Sequence, residues 1–183
     1  QPAITPHLFS FSSSPSHPFA LITLHRPSNV DTIEILEPLM RFLIDEVTKD
    51  MIIIWSIHPR TQKQLKTFGL FEEILNHPKI ILQYPLGYHE LLKLNMDATL
   101  MLTDSGGLQK EAYFSKKPCI TIRAETEWAE LVEAGWNTLY PPLDTELELF
   151  DCISHFNGEL DCPNIFGEGD TAEKILDIIE ESV

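Results

Sequence analysis

Two short strings and one isolated carboxylate have the residue types to do chemistry. The first string is Thr103-Asp104-Ser105-Gly106-Gly107, and Glu111 follows four residues later. Thr, Asp and Ser are all helix N-cap types, and an apolar run, Ala98–Leu102, comes just before them. A strand that stops at a Gly-Gly turn and opens a helix leaves several N–H groups without partners. Those donors and the positive end of the helix dipole form a seat for a phosphate. With no Cβ on Gly106 or Gly107, a ligand can approach the backbone itself. Glu111 falls one to two turns into that helix, where it could accept a ligand hydroxyl. The plainer alternative is a tight strand-to-helix turn and nothing more. The second string is His25-Arg26-Pro27-Ser28-Asn29, placed where another apolar run ends. A His and an Arg at the carboxyl end of a strand suit an anionic ligand. The alternative here is a surface pair with no ligand.

The elements that must carry these residues are legible in the apolar pattern. Ala98–Leu102 is too short for an ordinary helix and reads as a strand buried on both faces. Phe19–Leu24, Met51–Ser56, Lys79–Leu82, Pro118–Ile122 and Gly135–Tyr140 read as five more strands. Helices are expected over Thr32–Thr48, Thr61–Phe68, a short stretch after Gly69, His89–Asn95, Leu108–Phe114, Thr145–Phe156 and Thr171–Glu181. Near-continuous apolar strands alternating with helices predict an α/β, doubly wound (Rossmann-like) parallel sheet with helices on both faces. Residues 1–18 hold several prolines and serines without helix or strand pattern, and read as a linker or a disordered N-terminal segment before a domain over 19–183. In the last helix the apolar positions Ala172, Ile175, Leu176, Ile178 and Ile179 cover more than one narrow stripe.

A chain of 183 residues is enough for one good core, and its hydrophobic fraction of 43% is that of a globular protein. The net charge of −15 argues against nucleic acid and anionic membranes as partners, since both need an excess of Lys and Arg. A small anion held by a few local groups remains allowed. Cys119, Cys152 and Cys162 are odd in number and lack metal spacing, so reduced thiols in a cytoplasm are expected.

The string Leu-Thr-Asp-Ser-Gly-Gly-Leu-Gln-Lys-Glu-Ala closely resembles the nucleotide-binding segment of the non-hydrolysing UDP-N-acetylglucosamine 2-epimerases, which share the two-domain GT-B architecture. Other motifs resemble the same family in order. His25-Arg26-Pro-Ser-Asn29 matches its His-Arg-x-x-Asn, with Ser28 where Glu is usual. Arg123-x-x-x-Glu127-Trp128-x-Glu130 matches another, with Trp128 where well-known bacterial members have an Arg that reaches the diphosphate. Asn164-Ile-Phe-Gly167-Glu168-Gly169 resembles its Asn-Pro-Tyr-Gly-Asp-Gly. The resemblance runs from about Phe19 to the C-terminus and covers only the second half of the family's chain.

What the resemblance implies is specific. The family reverses C2 of UDP-GlcNAc: a base removes the C2 proton, UDP leaves, and UDP adds back on a sugar of opposite C2 configuration. It needs no cofactor, neither metal nor nicotinamide. By that likeness His25 is catalytic, an imidazole being a side chain suited to shuttling protons. Ser105, Gly106 and Gly107 hold phosphate, Arg26 and Arg123 supply charge, and Glu111 takes the ribose hydroxyls. Gln83, Pro85, Tyr88 and Leu91 lie near the uracil, although Tyr88 as a core aromatic is a competing reading. His58 corresponds to a residue of a regulatory sugar-nucleotide site, though the residues after it depart from the bacterial pattern. For Trp128, packing against the Ser-Gly-Gly turn is the favoured reading. The carboxylates that act on C2 belong to the family's first half. The expected ligands are UDP-GlcNAc and UDP, and the full-length protein is expected to be a homo-oligomer. The competing functions are the donor domain of a GT-B glycosyltransferase and a non-catalytic nucleotide-binding module. In GT-B folds the last helix commonly packs on the first domain, so part of its apolar face is expected to be uncovered here.

Overall fold

A computed structural model describes residues 17–142 and 162–181. The helix expected over Thr145–Phe156, the thiol Cys152 and most of the expected linker lie outside the described residues. Six strands form one sheet: β1 (Phe19–Thr23), β2 (Ile52–Ser56), β3 (Ile80–Gln83), β4 (Leu100–Thr103), β5 (Cys119–Thr121) and β6 (Asn137–Leu139). Their order is β3-β2-β1-β4-β5-β6, and every adjacent pair is parallel. This is the doubly wound sheet that the apolar strands predict.

Both faces of the sheet are covered, which is why its strands read as unbroken apolar runs. Side chains alternate along β1, so Ala20 and Ile22 enter one core cluster with Ile53, Trp55 and Leu102. Phe19 and Leu21 enter a second cluster, on the other side, with Ile54, Met101 and Ala112.

The helices are α1 (Pro27–Val30), α2 (Ile33–Arg41), α3 (Thr48–Asp50), α4 (Pro59–Thr67), α5 (Phe71–Leu75), α6 (Tyr88–Asp97), α7 (Gly106–Phe114), α8 (Ala129–Glu133) and α9 (Thr171–Glu181). The single helix expected over Thr32–Thr48 is α2 and α3 joined by a π-helical segment, Phe42–Val47. That wide turn begins four residues after Pro38, which cannot donate to the helix ladder. Two elements were not expected, α1 and α8. With four and five residues they are too short to show an apolar period. Helices α6 and α7 begin one and two residues before their apolar patterns do, because a first turn is defined by its backbone and not by its buried face.

Candidate functional site

The sheet changes direction between β1 and β4, the neighbours from which the chain winds outward in opposite senses. Crevices at such switch points, beyond the carboxyl ends of the strands, are where ligands bind in open α/β sheets. Thr23 and Thr103 are aligned at the ends of these two strands, and their hydroxyls lie 2.7 Å apart. From there the His25–Arg26 loop departs on one side and the Ser105–Gly107 turn on the other.

Asp104 ties the two together. It is fully buried, and it is not the cap of α7, a position taken by Ser105. Its Oδ2 accepts the backbone N–H of His25 at 2.9 Å, that of Arg26 at 2.7 Å, and Nδ2 of Asn29 at 3.1 Å. Its carbonyl accepts Nε of Arg26 at 2.7 Å. Asn29 also donates to the carbonyl of Ile122 at 2.9 Å, so the loop is fixed to β5's exit as well. Thr103 turns the Ser105 N–H inward with its hydroxyl at 3.0 Å.

The first turn of α7 is open on one side and occupied on the other. A Cβ on Gly107 would meet nothing within 4 Å, whereas one on Gly106 would sit 1.9 Å from Oε1 of Glu127. Glu127 is bonded to Arg123 at 2.5 Å and lies 4.0 Å from Nη2 of Arg26. Its carboxyl is held below the usual carboxylate range, chiefly by its own backbone N–H and then by Arg123. A carboxylate seated at a helix N-terminus between two guanidinium groups marks a place that accepts negative charge. Trp128 packs against this turn, donating its indole N–H to the carbonyl of Gly106 at 2.8 Å. Lys110 lies 4.4 Å above the Trp128 ring and 4.3 Å above that of Phe166.

Glu111 is half-buried, and its Oε2 has no hydrogen-bond partner among the described residues. Burial pushes its carboxyl above the ordinary value. An unsatisfied buried acceptor of this kind is rare in folded proteins and fits a donor from a ligand.

Two clefts open at this edge. One, of about 280 Å³, is lined by His25, His58, Ser105 and Pro85 among others. The His25 and His58 rings are 5.6 Å apart, so the two histidines of separate motifs share one space. The other cleft, about 370 Å³, brings Arg26 and Arg123 together beside Asn29. Glu111, Gly107, Tyr88 and Leu91 line neither. Gln83 ends β3, and its carbonyl accepts the Ile57 N–H at 3.0 Å. Leu91 is half-buried against the second core cluster. Tyr88 is 60% exposed, which overturns its reading as a core aromatic: it stands at the start of α6, and a first-turn residue faces outward there.

In the sequence Asp104 is one of three adjacent N-cap types and Glu127 one member of a motif, with nothing to mark either as a tie between distant segments. Their partners are distant in the chain, so no local pattern shows them. The one available signal was an Asp directly after a fully buried strand, a position that demands hydrogen-bond partners.

Comparison with known proteins gives this geometry a family. The sequence profile described as UDP-N-acetylglucosamine 2-epimerase matches residues 6–180. The UDP-N-acetylglucosamine 2-epimerase homolog of Methanococcus maripaludis is 42% identical over 162 residues, which are 88% of this chain and 44% of that protein. The UDP-N-acetylglucosamine 2-epimerase of Methanocaldococcus jannaschii is 42% identical over 163 residues, again 88% of this chain and 44% of that protein. A crystal structure of a UDP-GlcNAc 2-epimerase from Methanocaldococcus jannaschii, in complex with UDP-GlcNAc and UDP, superimposes with a TM-score of 0.82 at 40% identity. That match covers 94% of this chain and 47% of the other. The chain thus spans less than half the length of these relatives, and within that span it belongs to the UDP-N-acetylglucosamine 2-epimerase family.

Proposed function

We propose that this chain is the UDP-binding half of a UDP-GlcNAc 2-epimerase, which interconverts UDP-GlcNAc and UDP-ManNAc. The observation that carries the reading is the buried Oε2 of Glu111, without a partner among the described residues, on the helix whose first turn seats an arginine-clamped carboxylate. Nucleoside diphosphates need both features, an acceptor for ribose hydroxyls and a preorganised anion seat. In support, a relative at 40% identity was solved with UDP-GlcNAc and UDP bound.

The diphosphate takes the place of the Glu127 carboxylate over α7, within reach of Arg26 and Arg123. Charge that grows on the departing diphosphate is then met by groups already in position, which is where electrostatic catalysis has most effect. His25 stands at the neighbouring cleft, where an imidazole can pass a proton near neutral pH. In the whole enzyme, the C2 proton is removed, UDP is eliminated, and UDP returns to a sugar of inverted C2 configuration. By the family resemblance the carboxylates acting on C2 stand in the other half, so the isolated chain binds without turnover. Gln83, Tyr88 and Leu91 are assigned to the uracil side, and His58 to a second, regulatory sugar nucleotide. The whole protein is placed in the cytoplasm, at the precursor stage of polysaccharide biosynthesis, as a homo-oligomer.

Calorimetry with UDP, beside an NMR assay of C2–H exchange in deuterated solvent, tests the reading. Heat of binding without exchange is the expected result. Absence of any UDP binding would overturn the function, and exchange by this chain alone would overturn the division of roles between the halves.

A further inference from the structure

We infer that Asp104 is a positioning residue that sets the tautomer of His25, keeping its proton on Nδ1 so that Nε2 is the acceptor. The argument starts from the carboxylate. Asp104 is fully buried, and a buried carboxylate must be satisfied by donors. Oδ2 has three: the N–H of His25, the N–H of Arg26 and Nδ2 of Asn29. Oδ1 has no well-aligned donor among the described residues, and His25 Nδ1 stands 2.9 Å from it. If that nitrogen carried a lone pair, two acceptors would face each other out of water. A proton on Nδ1 removes the conflict, and in a neutral imidazole the lone pair is then on Nε2.

Two other histidines are arranged the opposite way. His58 Nδ1 accepts the Arg60 N–H at 3.1 Å, and His77 Nδ1 accepts the Lys79 N–H at 3.3 Å. Each of these rings, when neutral, carries its proton on Nε2. His25 and His58 line the same cleft with rings 5.6 Å apart, so one offers an acceptor and the other a donor. Asp104 also fixes the Arg26 backbone and, through its carbonyl, the Arg26 side chain. One buried residue thereby sets both the direction of the guanidinium and the proton-accepting atom of the imidazole. An Asp that holds a histidine tautomer is an established device in enzymes of unrelated fold. Here it gives His25 its use through the proposed function, while the tautomer itself is independent of any ligand.

The test is long-range ¹H–¹⁵N correlation on the uniformly labelled chain at about pH 8, where free histidines are neutral. His25 is expected as the Nδ1–H form, with His58 and His77 as Nε2–H forms in the same spectrum. In Asp104→Asn the three donors at Oδ2 select the amide oxygen for that place, which turns the amide NH₂ toward His25 Nδ1. His25 should then switch to Nε2–H, while circular dichroism shows the fold retained. A contact that served only stability would not select a tautomer. An Nε2–H form in the unaltered chain overturns the inference, as does an unchanged Nδ1–H form in the folded variant. Should Asp104→Asn fail to fold, the spectrum of the unaltered chain decides. UDP titration of the unaltered chain keeps the two readings apart. No binding with His25 in the Nδ1–H form sinks the proposed function and leaves the role of Asp104 standing.

Discussion

Glu111 has a property that a ligand contact needs, a carboxylate oxygen shut away from water with no donor among the described residues. Losing one hydrogen bond to a charged group costs about 1.5–3 kcal/mol, so Glu111→Ala should weaken UDP roughly 10-fold or more in calorimetry. The pH dependence follows from the sign of its shift. Burial raises the carboxyl in the free chain, whereas hydroxyls donated by a ligand favour the ionised form and lower it. Affinity should therefore be full above the raised value and fall as pH drops through it, and Glu111→Ala should abolish that dependence. The two glycines separate packing from binding. Gly107 faces open space, so Gly107→Ala should leave stability unchanged or raise it by about 0.4–1 kcal/mol. The same Cβ would narrow the open side of the turn, by which a ligand can approach the backbone, so under the proposed function UDP affinity should fall. Thermal melts beside titrations separate the two effects, and unchanged affinity would remove Gly107 from the seat.

At the scale of elements, the seat is a strand–turn–helix unit braced from outside. Trp128 joins the loop after β5 to the first turn of α7 through its indole N–H. Its ring meets Phe166, which also contacts Tyr113, so α7, α8 and the segment before α9 share one small cluster. Trp128→Phe keeps the aromatic face and removes the donor, leaving the Gly106 carbonyl without it. The expected cost is about 1 kcal/mol, read as a lower urea midpoint at unchanged slope. A shift within error would mean that ring packing alone braces the turn. Part of this is legible in the residues, where Trp128 reads as packing against the turn. The bond to Gly106 is not, because a side chain 22 residues downstream has no sequence mark that names its acceptor.

Over the whole molecule, the last helix is, among the described elements, the one least integrated into the core. Ile175, Leu176, Ile178 and Ile179 are 51%, 58%, 64% and 54% exposed, and α9 has no buried residue. Contiguous apolar surface of this kind favours self-association. The net charge of −15 opposes it, so association should strengthen with salt as the repulsion is screened. Sedimentation at rising chain concentration should show larger species, and the double variant Leu176→Glu with Ile179→Glu should stay monomeric. Both positions are exposed, so its stability should change by no more than about 0.5 kcal/mol per site. A monomer at every concentration and salt would end this expectation.

The sequence by itself determined the class of fold and the positions of most elements. Six apolar runs, too short for helices and alternating with amphipathic segments, have few arrangements open to them except a parallel sheet covered on both faces. It also placed the chemistry at strand ends, because His25-Arg26 and Ser105-Gly106-Gly107 each follow an apolar run within a few residues. Periodicity and turn chemistry are local, and local information carries that far. It does not say which strand lies beside which. Only the tertiary structure set β1 against β4, and with them His25 against Asp104, 79 residues away. Only it laid the Glu127 carboxylate over Gly106, left an oxygen of Glu111 without a donor among the described residues, and moved Tyr88 out of the core. Each of these depends on the distance between groups far apart in the chain, and that distance is fixed by how the two faces of the sheet are packed.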